Sequence, residues 1–169
     1  LGGDPANIVV SIGDTAAISN GIGTSNSRLT VTAGSSAHMA ATAVREKVLR
    51  VAADMLEAAE TDLEIEGAEV RVRGSDLKVG LGDVTKAVAG TPGYRLPEGV
   101  TPGMEATEML VIEEETFASG SAVVEVEVDP ETGKVEIVNY VMAQDSGRIL
   151  DREIAEGQLY GGIAPGIGN

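Results

Sequence analysis

Two stretches of the chain carry residue types from which a ligand site can be built. The first is Gly21-Ile22-Gly23-Thr24-Ser25-Asn26-Ser27-Arg28, followed closely by Gly34-Ser35-Ser36 at the expected mouth of a long helix. Glycines let backbone N–H groups point at a ligand, while the hydroxyls and Asn26 add neutral donors. A helix N-terminus adds partial positive charge, so the stretch suits a phosphate or a polar heterocycle. An ordinary polar turn with Ser35 or Ser36 capping the helix accounts for the same residues. The stretch is neither a nucleotide-binding P-loop, since no lysine follows the glycines, nor a dinucleotide fingerprint.

The second stretch begins at Asp145-Ser146-Gly147-Arg148 and continues from Glu156-Gly157-Gln158 through Tyr160-Gly161-Gly162 to Gly168. Its small residues imply close packing against the backbone, by a ligand or by another helix. Gln158 is a neutral donor and acceptor in that otherwise apolar run. His38 is the chain's single histidine. It sits beside Ser35 and Ser36 on one helix, where neighbours in sequence seldom reach triad geometry. Glu113-Glu114-Glu115 reads as a solvated edge rather than a cation loop, lacking interleaved Asn, Asp or Gly. Arg148 reads as a partner in a surface ion pair.

The elements that must position these groups follow from periodicity. Asn7 to Ile12 is a short apolar run suited to a buried strand. From about Ser35 to Ala59, Val44, Val48, Val51 and Met55 recur at helical steps, with Glu46, Arg50, Asp54 and Glu57 opposite and Glu46 within pairing reach of Arg50. Leu63, Ile65, Val70 and Val72 alternate around Gly67 as a small hairpin, and Leu81 to Ala89 fits a short helix. Residues 90–105 hold Pro92, Pro97 and Pro102 and predict an ordered connection or an excursion without regular structure. A second sheet region is expected from near Met109. Its clearest part is Val123–Val128 and Val135–Met142, joined by a turn in which Pro130 and Gly133 set the backbone. A last helix is expected from Arg152 to about Ala164, with Glu153 and Glu156 near its positive end.

Composition bounds the rest. The chain has 169 residues, 43% of them hydrophobic, long enough for a sizeable core and expected to form one domain or two small ones. Aromatics are only 2%, so that core must be built from Val, Ala, Leu, Ile and Met. A net charge of -15 argues against a nucleic-acid or anionic-membrane partner. Adaptation to high salt would give a similar surface. The absence of cysteine excludes disulfides, thiolate metal sites and iron–sulfur ligation within these residues. No apolar run approaches the roughly 20 residues of a membrane span, and no signal core is present. Starting without Met and stopping in a glycine-rich stretch, the chain is expected to be an internal piece of a longer polypeptide.

Four motifs in order then carry a resemblance. They are Gly13 to Arg28, Val44-Arg45-Glu46-Lys47, Val126-Glu127-Val128-Asp129-Pro130-Glu131-Thr132-Gly133, and Gly157-Gln158 with Gly161-Gly162-Ile163. Together they resemble the large subunit of the molybdenum hydroxylases, the family of xanthine dehydrogenase, aldehyde oxidase and aerobic carbon monoxide dehydrogenase. The resemblance covers nearly the whole chain, weakest from about Gly74 to Thr107, and lies in the C-terminal, molybdopterin-binding half of that subunit.

The resemblance implies an α+β fold, a mixed sheet with packed helices, with residues 1–169 forming part of the molybdopterin-binding domain. The family's pterin-contacting loop, of the form GTxGSRS, falls on Thr24, Ser25, Asn26, Ser27 and Arg28. Asn26 stands where the family has glycine and Leu29 where it has serine. Gln158 falls on the family's glutamine near the cofactor, and Asp145 and Gly147 on its preceding loop. Pro165 stands where glutamine is common.

The implied cofactor is a molybdenum-pterin, in bacteria often molybdopterin cytosine dinucleotide. The implied activity is oxidation or hydroxylation of a small-molecule substrate at carbon, an aldehyde, an N-heterocycle or carbon monoxide. Electrons would leave through iron–sulfur clusters to FAD on partner subunits or domains of a cytoplasmic enzyme. The activating glutamate of a GxGE-like motif is expected downstream of Asn169 and the substrate loop upstream of Leu1. None of the residues present is therefore expected to be catalytic, and the fragment alone is expected to be inactive. A noncatalytic binding or assembly domain that keeps the scaffold is the rival reading, on the strength of Asn26, Leu29 and Pro165. A small acidic hydrolase is disfavoured by the lack of a usable histidine constellation.

Overall fold

A computed structural model of the chain describes residues 2, 4–18, 21, 23–114 and 116–168. It divides the chain into two compact units, Leu1–Val111 and Ile112–Asn169.

In the first unit the long helix α1 spans Ser35–Leu56. Its apolar stripe is the one the sequence dictates: Val48 and Val51 are buried, and Val44 and Met55 pack half-buried against the same core. The helix stops at Leu56 rather than near Ala59. Glu57 turns left-handed at φ 51°, and the Ala58 N–H reaches back to the Ala53 carbonyl at 3.0 Å, a hydrogen-bonded helix ending. The helical path also starts earlier than the sequence suggests. A π-type turn, Thr30–Gly34, leads directly into α1. In it Thr32 directs both its N–H (2.9 Å) and its hydroxyl (3.1 Å) to the Arg28 carbonyl. Side-chain competition of this kind loosens the regular helical ladder among β-branched residues.

The hairpin is formed by β1 (Leu63–Glu66) and β2 (Glu69–Val72), and a third strand, β3 (Lys78–Gly80), extends it into an antiparallel sheet. The register places Leu63 opposite Val72 and Ile65 opposite Val70, so the alternating apolar residues share one face. That face meets α1 and the short helix α2 (Leu81–Val88). The buried core is Val48, Val51, Ala52, Leu63, Val70, Val84, Ala87 and Val88, all aliphatic, as an aromatic-poor sequence requires. On the sheet's outer side, hydrogen bonds from Lys78 and Arg71 hold the Glu69 carboxyl below its ordinary range.

Residues 90–105 have no regular structure yet belong to this unit, since Tyr94, Leu96, Val100 and Met104 pack onto the core. Lys47 fastens the segment from α1. Its Nζ donates to the Gly103 carbonyl at 2.9 Å, Thr101 Oγ1 at 3.3 Å and the Glu105 carbonyl at 3.4 Å. Tyr94 donates its hydroxyl to Asp54 Oδ2 at 2.8 Å, and partial burial together with that bond pushes its phenol up to about 12.

Two further expectations fail in the first unit. The apolar run Asn7–Ile12 forms no strand: after a 3-10 turn at Pro5–Asn7, Val9 and Ile12 are 93% and 85% exposed. An apolar pattern proposes a strand, but only a partner strand satisfies its backbone groups, and none of the described strands pairs with it. Arg50 pairs with Glu60 at 3.5 Å across the end of the helix, not with Glu46 one turn away.

The second unit comprises β4 (Ser119–Val128), β5 (Val135–Asp145) and α3 (Arg152–Gly168). The strand pairing begins at Ser119, ten residues after the expected Met109, because residues 109–118 run without strand pairing among the described residues. The turn between the strands is tighter than Pro130 and Gly133 alone would make it. Asp129 Oδ1 accepts the Glu131 N–H at 2.8 Å, and Asp129 Oδ2 accepts the Thr132 hydroxyl at 2.6 Å, while Gly133 supplies φ 71°. The Thr132 hydroxyl, with the Glu131 N–H, lowers the Asp129 carboxyl.

A bulge interrupts the ladder between Glu125 and Val126. Val124 pairs with Tyr140 on one side of it and Val126 with Ile137 on the other. The extra residue in β5 shifts the alternation, so Val135 and Ile137 share a face with Tyr140 and Met142 despite their odd and even numbers. The α+β class is thus realised as helices with two small antiparallel sheets.

Candidate functional site

The loop before α1 has the more unusual backbone of the two candidate stretches. Asn26 and Ser27 are both left-handed, at φ 54° and 53°, and Gly23 precedes them at φ 69°. Consecutive left-handed non-glycine residues are uncommon, and Asn is one of the few side chains that tolerates the conformation. The Arg28 N–H closes on the Ser25 carbonyl at 3.3 Å. Leu29 is already in right-handed helical conformation. Thr24, Ser25, Asn26 and Ser27 are exposed, and Arg28 is half-buried. Ile22 lies outside the described residues.

The N-terminus of the helical path, with its partial positive charge, therefore sits just after Arg28. Gly34 stands at the mouth of α1 as the sequence suggests, but in right-handed helical conformation as the last residue of the π-type turn. Ser36 does not cap α1: its Oγ accepts the Leu110 N–H at 3.0 Å and ties that distant segment to the helix. The earlier start brings the helix dipole to the loop holding Thr24–Arg28.

The second candidate stretch lies in the other unit. Asp145 closes β5, and its Oδ1 accepts the Gly147 N–H at 2.9 Å in a turn where Gly147 takes φ 70°. Asp151 caps α3 by accepting the Ile154 N–H at 3.0 Å, a role that the spacing of an aspartate before a helical run could have revealed. Glu156 pairs with Arg152 at 2.7 Å. Gln158 lies on α3 at the wall of an apolar groove of about 700 Å³. Val124, Val126, Ile137 and Tyr140 line its hairpin side, and Leu159 and Ile163 line its helix side. Pro165 stands inside α3, where it removes the N–H that the Gly161 carbonyl would otherwise accept.

Residues set aside on sequence grounds stay outside any cluster. His38 is exposed on α1, and Glu113, Glu114 and Arg148 are exposed. Glu115 lies outside the described residues. Among the described residues no group of three His, Cys, Asp or Glu side chains is arranged to hold a metal ion. Arg148 forms none of the ion pairs found among the described residues, against the expectation of a surface pair. No helix among the described residues is long and apolar enough to cross a membrane.

A family model described as the molybdopterin cofactor-binding domain matches residues 1–169. The chain belongs to that family. It is 34% identical over 97% of its length to the 6-hydroxypseudooxynicotine dehydrogenase complex subunit gamma of Paenarthrobacter nicotinovorans, covering 20% of that protein. It is 32% identical over 97% of its length to the carbon monoxide dehydrogenase large chain of Hydrogenophaga pseudoflava, again covering 20%. Its fold is similar to a solved Cu,Mo-CO dehydrogenase, with a TM-score of 0.67 and 31% identity over 84% of this chain and 18% of that one. The chain thus spans about a fifth of the length of these relatives.

Proposed function

We propose that this chain forms one wall of the molybdenum-pterin site in the large subunit of a molybdenum hydroxylase. In this reading the pterin-contacting residues are Thr24, Ser25, Asn26, Ser27 and Arg28, together with Asp145, Gly147 and Gln158. The observation that carries the reading is the left-handed pair Asn26 and Ser27, exposed immediately before the helical start at Leu29. Such a loop turns backbone donors outward beside the positive end of a helix, which suits a phosphorylated, hydrogen-bonding heterocycle. The conformation also supports Asn26 as a working substitute for the family's glycine, since both residue types accept positive φ.

When bound, the cofactor supplies two-electron oxidation at carbon. The chain's own residues bind and orient it, and no side chain among them is assigned to proton transfer. The substrate would be carbon monoxide, an N-heterocycle or an aldehyde. The cofactor is proposed in its cytosine dinucleotide form, within a cytoplasmic complex carrying iron–sulfur and FAD subunits. Alone, the 169 residues would show no turnover.

The test uses the full-length subunit purified with its partners. Elemental analysis should find molybdenum, and Gln158→Ala should lower molybdenum occupancy or turnover while leaving the subunit folded. Absence of molybdenum from the complex would remove the catalytic reading in favour of a binding or assembly domain. An unchanged Gln158→Ala variant would remove that residue's assignment.

A further inference from the structure

A glycine inside a strand weakens it, and its presence often marks the close approach of another group. Gly120 stands in β4 opposite Gln144 of β5. Its φ is not positive, so space rather than backbone conformation is what requires glycine there. A Cβ on Gly120 would come within 2.7 Å of Gln144 Oε1 and 3.0 Å of the Ala143 carbonyl oxygen. The Gln144 side chain thus lies across the place that a side chain at position 120 would fill. Its Nε2 donates to Ser146 Oγ at 3.2 Å.

Ser146 sits between Asp145 and Gly147, and those two neighbours are bonded to each other: Asp145 Oδ1 accepts the Gly147 N–H at 2.9 Å. That bond withdraws the Gly147 N–H from a ligand, and an ionised aspartate only accepts. The exposed Ser146 hydroxyl is therefore the side-chain donor that remains in the turn. Gln144 engages its oxygen, and among the described residues its proton goes to no partner. We infer that Ser146 is a further contact to the bound cofactor, donating its hydroxyl to an acceptor oxygen of that group. Gln144 is the positioning residue that holds it, in the space that Gly120 leaves. The inference rests on the reading of Asp145 and Gly147 as cofactor contacts and deepens it: their mutual bond shapes the turn, and the serine between them supplies the donor.

The experiment follows the loss of molybdenum from the full-length subunit in its complex during dialysis, by elemental analysis. Ser146→Ala and Gln144→Ala should each speed that loss about fivefold, the effect of one hydrogen bond. The double variant should lose molybdenum no faster than Ser146→Ala, because the glutamine acts through the serine. Ser146→Thr keeps the hydroxyl and should keep the original rate. Gly120→Ala should behave as Gln144→Ala does, since the added methyl displaces the flexible end of that side chain. An unchanged rate in Ser146→Ala, additive losses in the double variant, or a Ser146→Thr rate equal to that of Ser146→Ala would each overturn the inference. If Gln158→Ala sheds molybdenum faster in that event, the cofactor reading stands without Ser146. A complex that holds no molybdenum before any substitution would overturn both.

Discussion

The two units solve the same problem of burying small aliphatic side chains to different degrees. The first unit encloses its own core: Val51, Val70, Val84 and Val88 are fully buried between two helices and a three-stranded sheet, and an irregular segment closes over it. The second has a longer hairpin and a helix rich in small and apolar residues, yet no buried residue among those described. Apolar content alone therefore does not make a core. Three layers of contact make the first unit self-sufficient, whereas a two-stranded hairpin has too little surface to be stable without further cover.

That contrast can be broken by experiment. The largest effect is expected from Val51→Ala, which empties space in a closed core and should lower the first unit's stability by about 2 kcal/mol in chemical denaturation. The matching change Val123→Ala removes the same atoms from a side chain 72% exposed and should fall within about 0.5 kcal/mol in the same 169-residue chain. Equal losses would end the distinction between the units.

Next in size is Lys47→Met, which keeps the stem but removes the charged donor to three oxygens. A cost of about 1–2 kcal/mol is expected, with faster amide exchange confined to residues 97–105. Exchange rising equally across α1 would show that the lysine supports the helix rather than the segment.

Tyr94 sharpens the same region through pH. Its phenol rises from the ordinary 10.0 to about 12 in the folded chain, because of partial burial first and the Asp54 hydrogen bond second. The neutral form is thus favoured by folding. The stability it contributes is complete below pH 10 and should be lost as pH rises through 12, and Tyr94→Phe should flatten that portion of the profile. A profile unchanged by the substitution would remove Tyr94 as its source.

The smallest effect is expected for Asn26→Gly in the candidate cofactor loop. Asn26→Gly suits φ 54° and should change stability by only a few tenths of a kcal/mol, whereas Asn26→Val should cost about 1–2 kcal/mol. Thermal melts of the two variants test whether the loop holds this conformation in solution.

The family was legible before the structure, because the order of motifs could be compared with it even where spacing alone left the Gly21–Arg28 stretch open to an ordinary turn. The backbone path of that loop was not legible. Placing the helix mouth at Gly34 followed from the polar residues around it, but the π-type turn at Thr30–Gly34 carries the helical path back to the loop. Thr32, whose side chain competes for the Arg28 carbonyl, was the available signal.

Local chemistry by itself determined the stripe of α1, the alternation of β1 and β2, and the turn from Asp129 to Lys134, since each depends on residues a few positions apart. Even the bulge left a trace, in the switch from Val135 and Ile137 to Tyr140 and Met142. Tertiary structure alone decided what those patterns met. It left Asn7–Ile12 exposed, took Arg50 to Glu60, and brought Lys47 to oxygens 54 to 58 residues away. Periodicity specifies which face is apolar; whether that face is covered depends on contacts between segments far apart in the chain, and those have no local signature.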